Sequence, residues 1–575
     1  MSATFKLHIK TRDYQEWVWL NEQQYAAPSL KPLESRLFHN DTIDLEGNLI
    51  IQSPYRTKED ICGILIVDGK TYGRYKDKLL YKCIPDAQHL PWFYIPYEEK
   101  NNTFSKLKVN KYITFKFKEW YDKHQHPIGL ITNTIGNVDS NEAYTSYQLI
   151  CHELNSSIKQ LNIDTIRALR EKPQAAMPLN YKDNYTIEDR RAYPIISIDP
   201  EGCTDIDDAI GLHKTTNGET LISIYIANVP LMLEYLNLWS SLSDRISTIY
   251  LGDNKIPMLP MSLSENRFSL LQGEDRCVFV IDVHIDVFRK QIMKYSYHTA
   301  LIKVEKNYAY EARELLVRPD YQEMLYLIRY FNQSLKYVDK VRDSHDLIEF
   351  CMILMNYECS KILLKKGRGI FRSASKKETN CAGDGAGAGD GDGDGSGASN
   401  NDIPSEIKHI VENVAGEYCS ADAIKPHELI AGGLPSYLHI TSPIRRLVDC
   451  LNMLEIQRGT YINSEEASKF LEKWLDQIAV INKKTKAIRR LQNDAELLRL
   501  YDRAHNQMYN GIVFAQTSVA AENNLYKYKV YIPYIKLLSS VYTTKVIKNY
   551  SLMDFTVHLF LDENKMCKKV RLHML

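Results

Sequence analysis

Several absences narrow this chain's class before any motif is read. Its 11 cysteines are scattered, with no CxxC pair and no Cys/His grouping at zinc spacing, so neither a zinc module nor a disulfide framework organises it. No apolar run approaches the roughly 20 residues that a bilayer span needs, and no secretory signal opens the sequence. These point to a soluble protein of a reducing, intracellular and cytoplasmic setting, with no membrane partner. Net charge is missing too: 72 Lys and Arg stand against 72 Asp and Glu. Any surface that binds an anionic polymer must therefore be local. Phenylalanine is sparse beside tyrosine, 16 against 38; such tyrosines either stack on bases or reflect a biased composition.

What the chain has is length, 575 residues, enough for about four domains at roughly 150 residues each. Residues 1–150 are strand-rich, with alternation in "YITFKFKEW" and polar breaks such as "EEKNNT"; small β-barrels are the natural candidate. The pattern turns helical through "LICHELNSSIKQLNIDTIRALREKP", and Pro173 with Pro178 marks a linker over 151–180. From about 180 to 500 strands come first and helices later, the order of an α+β domain. A helical stretch, 464–509, gives way to alternating strands that close the chain as another small β domain. Residues 381–402, "CAGDGAGAGDGDGDGSGASNND", lack the closing Glu and apolar positions of a calcium loop. They read as a flexible, disordered insertion.

The stretch "IISIDPEGCTDIDDAIGL" (195–212) places Asp199, Asp205, Asp207 and Asp208 between two apolar runs. Ile195, Ile196 and Ile198 predict a buried strand running in; Ala209, Ile210 and Leu212 predict one running out. In a fully extended segment Asp205 and Asp207 share a face and Asp208 points away, so gathering all four needs the bend that Pro200 and Gly202 permit. Carboxylates so gathered take up protons unless a cation holds them. Hard oxygen ligands favour magnesium or manganese. The alternative is an ordinary solvated turn.

A second constellation, "YLHITSPIRRLVDCLNML" (437–454), predicts a helix with Ser442 as N-cap, Pro443 at the first position and an apolar face of Ile444, Leu447, Val448, Leu451 and Leu454. Arg445 and Arg446 then occupy the first turn, where the helix dipole disfavours cations. Free amides with guanidinium groups there would form a phosphate cradle. The alternative pairs both arginines with core acids.

On these residues the chain resembles the RNB-family exoribonucleases, the group of bacterial RNase II, RNase R and the catalytic subunit of the eukaryotic exosome. "SIDPEGCTDIDDA" resembles the family's acidic signature and "HITSPIRRLVD" its arginine signature, with a matching segment between them at 245–276. The similarity covers about 180–510, and more loosely 73–136, similar to a cold-shock-like OB domain; the closing segment resembles an S1-like OB domain. The fold so implied is multidomain α+β. It runs as a short β-rich region resembling a degenerate cold-shock domain (1–60), a cold-shock-like OB β-barrel (61–150), a linker (151–180), an α+β RNB catalytic domain (181–509) and an S1-like OB β-barrel (510–575).

The resemblance implies processive hydrolysis of single-stranded RNA from its 3′ end, with magnesium (manganese as the alternative), to nucleoside 5′-monophosphates. It places Asp199, Asp205, Asp207 and Asp208 at the metal, with Asp207 the most sensitive to chemistry, and Arg445 on the scissile phosphate. Tyr250 falls near the terminal nucleotide and Tyr310 at the buried 3′ end. Departures are Tyr225 and Asn228 where the family shows His and Asp, and Met453 for a His. Asn493 or Asp494 falls where a late-helix glutamate is expected. Nothing resembles the exosome subunit's endonuclease domain. Rival readings are an RNB-like RNA-binding protein without catalysis, which should have lost acids from the quartet, and a calcium-regulated scaffold using the Asp-Gly segment.

Overall fold

The computed structural model describes residues 4–21, 28–44, 50–98, 108–121, 125–173, 187–215, 219–252, 254–374, 416–428, 433–504, 507–520, 525–535, 537–562 and 566–575, with 179, 181, 404, 407 and 430 singly. The insertion 381–402 lies outside them. The chain forms two compact units, one of Met1–Asn155 with Leu497–Met508 and Thr556–His573, the other of Ser156–Glu496 with Tyr509–Phe555 and Met574–Leu575.

In the first unit, "TFKLHI" alternates as its sequence demands, burying Phe5, Leu7 and Ile9 in a four-stranded sheet ordered Trp17–Leu20, Thr4–Ile9, Thr42–Asp44, Ile50–Gln52. A closed five-stranded, OB-like barrel follows: Ile61–Tyr75, Lys78–Pro85, Phe93–Tyr97, Ile128–Asn137 and Lys111–Glu119 in order around the ring. Its interior is filled by Leu65, Cys83, Phe93, Ile95, Ile113 and Phe115. Gly63 is required here, because a Cβ would lie 2.6 Å from Cys83 Sγ and 2.9 Å from Phe115.

The second unit is built on a seven-stranded sheet ordered Glu188–Arg190, Gln291–Lys303, Asp275–Asp286, Thr220–Ala227, Asp208–Lys214, Ile195–Asp199, Lys306–Ala309. Its two edge pairings are parallel and the rest antiparallel. The central strand "TLISIYIA" is buried at every position, the mark of a strand covered on both faces. Ile196, Ile198, Ile210, Ile222 and Ile224 share a core with Met324, Ile328 and Phe331 of helix Pro319–Leu335 and with Leu347, Cys351 and Leu354 of helix Ser344–Lys366. That second helix starts on an Asp343 cap and stops at Gly367, whose φ of +64° suits glycine. Helices Leu447–Gln457, Glu465–Leu475 and Ile478–Ala504 follow, as the helical pattern predicts.

Beyond them, Tyr509–Ala520, Leu525–Ile532 and Leu537–Thr543 form an antiparallel meander whose first strand also pairs with the start of Ser551–Asp562. The described strands make an open five-stranded sheet, where the sequence led to the expectation of a closed barrel. Bulges between Phe514 and Thr517 and between Ser518 and Ala520 interrupt the first pairing, a device invisible in the apolar alternation. Among the described residues no helix is long and apolar enough to cross a membrane.

Candidate active site

The acidic loop is a bend between two neighbouring strands. Ile195–Asp199 and Asp208–Lys214 pair antiparallel, with Ile195 opposite Gly211 and Ile196 opposite Ile210, so the chain must reverse between Asp199 and Asp208. Gly202 adopts φ +79° and Cys203 N–H donates to Pro200 O at 3.1 Å, which closes the turn. Ile206 anchors the middle: it is buried, its N–H donates to Ser269 Oγ, and its carbonyl accepts from Leu270 N–H. All four aspartates thereby line one cavity of about 890 Å³, together with Tyr250, Lys255, Tyr310, Arg445 and Arg446. The solvated-turn alternative does not describe a loop whose centre is in the core.

Within that cavity the four acids are not equivalent. Asp207 is 3% exposed. Its Oδ1 accepts from Ile444 N–H at 2.9 Å and its Oδ2 from Arg445 Nε at 3.1 Å. Burial pushes its carboxyl up to about 7, against the opposing pull of Arg445 and the Ile444 amide. Asp205 is likewise engaged, by Lys255 Nζ at 2.9 Å and by the Tyr250 hydroxyl at 3.2 Å. Among the described residues Asp199 and Asp208 have no such cation within ion-pair distance. Burial raises both, Asp208 well above the usual carboxylate range with Asp199 and Asp207 adding repulsion. Asp199 Oδ2 is a buried oxygen without a hydrogen-bond partner.

An orphaned carboxylate oxygen beside a second repelled carboxylate is a donor set that suits a hard divalent cation. Among the described residues no three His, Cys, Asp or Glu side chains converge as a ready-made cage. The reason is visible in the partners: Asp205 and Asp207 are turned onto Lys255 and Arg445.

The arginine segment departs from its expected geometry. The helix begins at Leu447, and Arg446 is its cap residue with extended backbone (φ −133°, ψ 125°), bridged to Ser247. Ser442–Arg446 is a separate turn in which the Arg445 and Arg446 amides donate to Ser442 O. Neither arginine therefore occupies a first helical turn, and the cradle of free helix amides is not formed. Long-range pairing overrides the local start signals of Ser442 and Pro443: Leu447 N–H donates to Ile246 O, and Arg445 O accepts from Thr248 N–H. Both arginines are paired with acids, Arg445 with Asp207 and Arg446 with fully buried Asp449, which also takes Ser442 N–H. Arg445 nonetheless keeps a 45% exposed side chain in the cavity wall, with Nη2 donating to Ser442 Oγ.

Tyr250, on strand Ile249–Leu251, is partly exposed beside Asp205. Tyr310 follows strand Lys306–Ala309; its N–H donates to Asp199 O, and its ring stacks on His345 at 3.6 Å between centroids and 7° between planes. Three departures have structural jobs. Tyr225 is buried in the central strand. Asn228 caps helix Val229–Tyr235 and exchanges hydrogen bonds with Gln457, and Met453 is buried in the core. Asn493 and Asp494 are on helix Ile478–Ala504, and the cavity's described lining does not include them. Sequence reasoning missed Lys255, Glu265 and His345. Lys255, directly opposite Tyr250 in a hairpin, was within reach of a hairpin reading.

Against known proteins, residues 187–336 match the family model described as RNB domain. The chain is similar to Ribonuclease R of Thermotoga maritima, 27% identical over 40% of this chain and 31% of that protein. The matched stretch spans less than a third of the curated relatives' length. In fold it resembles Mycoplasma genitalium RNase R, solved in complex with ribose methylated single-stranded RNA, with a TM-score of 0.63, 16% identity and coverage of 99% of this chain and 100% of that one. It also resembles yeast Ssd1, described as a pseudonuclease, with a TM-score of 0.55, 13% identity and coverage of 94% and 78%.

Proposed function

Residues 187–336 of this chain match the RNB domain model, and from that premise we propose that the protein is a hydrolytic, processive 3′-to-5′ exoribonuclease that shortens single-stranded RNA to nucleoside 5′-monophosphates. One observation carries the reading: four buried or half-buried acids and Arg445 meet in one cavity although 237 positions separate Asp207 from Ile444. No packing need explains a carboxylate oxygen left without a partner there.

Magnesium, with manganese as the alternative, is the proposed cofactor, held by Asp199 and Asp208. When bound it would activate water and neutralise charge on the phosphodiester. Arg445 is set by its own partners, Asp207 on Nε and Ser442 on Nη2, and presents the remaining edge of a planar cation to a phosphate. Asp207 fixes that arginine and the Ile444 amide together, so it orients the turn as well as supplying charge. Tyr250 and the Tyr310–His345 stack offer aromatic faces for the last bases, worth about 1–3 kcal/mol per stacked base. Arg446 is held by Asp449 and supports the turn from behind, with a smaller part in RNA binding. In this reading the barrel at 61–150 and the strands at 510–575 are OB-type RNA-binding domains, and 181–509 is the catalytic domain.

The second reading, an RNA-binding protein without catalysis, draws on the likeness to a pseudonuclease. A gel decides between them. With magnesium, 5′-labelled RNA should give a ladder shrinking to a few nucleotides and 3′-labelled RNA should give mononucleotides, while a DNA oligomer binds and stays intact. Binding without shortening favours the second reading, and cleavage of circular RNA refutes the first.

A further inference from the structure

Asp205 is held by two side chains, Tyr250 and Lys255, and neither Lys255 nor the Glu265 behind it is part of the resemblance. Tyr250 and Lys255 are cross-strand partners in the hairpin Ile249–Leu251/Asn254–Ile256, so their side chains leave the same face. Both reach Asp205: Lys255 Nζ is 2.9 Å from Oδ1 and the Tyr250 hydroxyl donates to Oδ2 at 3.2 Å. On its other side Lys255 Nζ meets Glu265 Oε1 at 3.0 Å, from the turn Leu263–Arg267. The three charged side chains are 9%, 25% and 19% exposed for Asp205, Lys255 and Glu265. This is an enclosed carboxylate–ammonium–carboxylate row at the edge of the catalytic cavity.

We propose that Lys255 is a built-in cation which occupies Asp205 in place of a second divalent ion, so that this active site takes one metal, on Asp199 and Asp208, and Lys255 is a positioning residue acting through Asp205. The chemistry follows from the row. An ammonium between two carboxylates supplies fixed positive charge at a place where two acids alone would repel and recruit an ion. Lys255 has three donors and no acceptor, so it satisfies both acids and cannot itself ligate a metal while charged. Removing the amine leaves Asp205 and Glu265 as two oxygen donors facing one gap, which is the donor set of a hard-cation site.

The proposal rests on the nuclease reading above, and binding stoichiometry separates the two. The full chain, stripped of metal with chelator, is titrated with manganese while free ion is followed by electron paramagnetic resonance. Wild type should bind one ion in the catalytic domain, Lys255→Met two and Lys255→Arg one. Glu265→Gln, which keeps the ammonium on Asp205, should bind one. Two ions in wild type, or one in Lys255→Met with wild-type melting, overturns the role of Lys255 and leaves the nuclease reading standing. No ion in any form overturns both. Should Lys255→Met not fold, Lys255→Gln, which removes the charge and keeps a polar side chain, is counted in its place: two ions are expected, and one ion overturns the role of Lys255.

Discussion

The two halves of the acidic loop differ more than their sequence does. Asp205 and Asp207 have both carboxylate oxygens taken by protein donors, each including one cation. Asp199 and Asp208 are raised by burial and by neighbouring acids, and one Asp199 oxygen has no hydrogen-bond partner among the described residues. Four aspartates within ten residues thus divide into a pair held by protein cations and a pair that we propose holds the metal. Adjacent residues of one type acquire different jobs from what the rest of the chain brings to them.

The sharpest way to break that division is Asp208→Asn, expected to lower hydrolysis by about 10³-fold or more by removing charge from the pair proposed to hold the metal, and to weaken manganese binding in the same titration. Asp207→Asn should lower turnover by about 10²- to 10³-fold, since the amide still accepts from Ile444 but no longer holds Arg445 by charge. It should bind manganese and RNA as wild type does. Equal loss of manganese affinity in both variants, read by calorimetry, would erase the distinction. Arg445→Ala should cost turnover about 10²-fold with the melting temperature little changed; early melting with normal cleavage would make the arginine structural.

Acidity offers a further separation. In metal-free protein the folded Asp207 carboxyl titrates near 7 and Asp199 is raised as well. Folding therefore binds protons between the ordinary carboxylate range and about pH 7. The stability these groups contribute is full below that range and falls as pH rises through it. Added magnesium should raise the melting temperature more at pH 8 than at pH 5; an equal or reversed gain in a thermal-shift series would contradict the placement of the ion on raised acids. A smaller effect belongs to Tyr310→Ala, which should lengthen the limit product on a sequencing gel more than it slows decay of long RNA.

Much of this site was legible in the sequence because it is local. Apolar runs on either side of Asp199 and Asp208 require a strand pair, and Pro200 with Gly202 mark the bend. The pairing of acid with arginine came from two separate motifs. What could not be read was long-range. Ser442 and Pro443 are good start signals for a helix, yet the pairing of Arg446 with Ser247 holds the backbone extended until Leu447. Lys255 reaches an acid 50 positions earlier, and His345 stacks on Tyr310 from helix Ser344–Lys366; neither has a periodicity to betray it. The C-terminal strands were foreseen by alternation, but the order in which the described strands pair is something alternation does not encode.

The most direct test follows one 5′-labelled oligoribonucleotide in magnesium with wild type and with Asp208→Asn side by side. The account predicts a ladder that shrinks from the 3′ end with wild type, and intact but bound RNA with the variant. Equal shortening by both, or none by either, would contradict the claim that this cavity cuts RNA through Asp199 and Asp208.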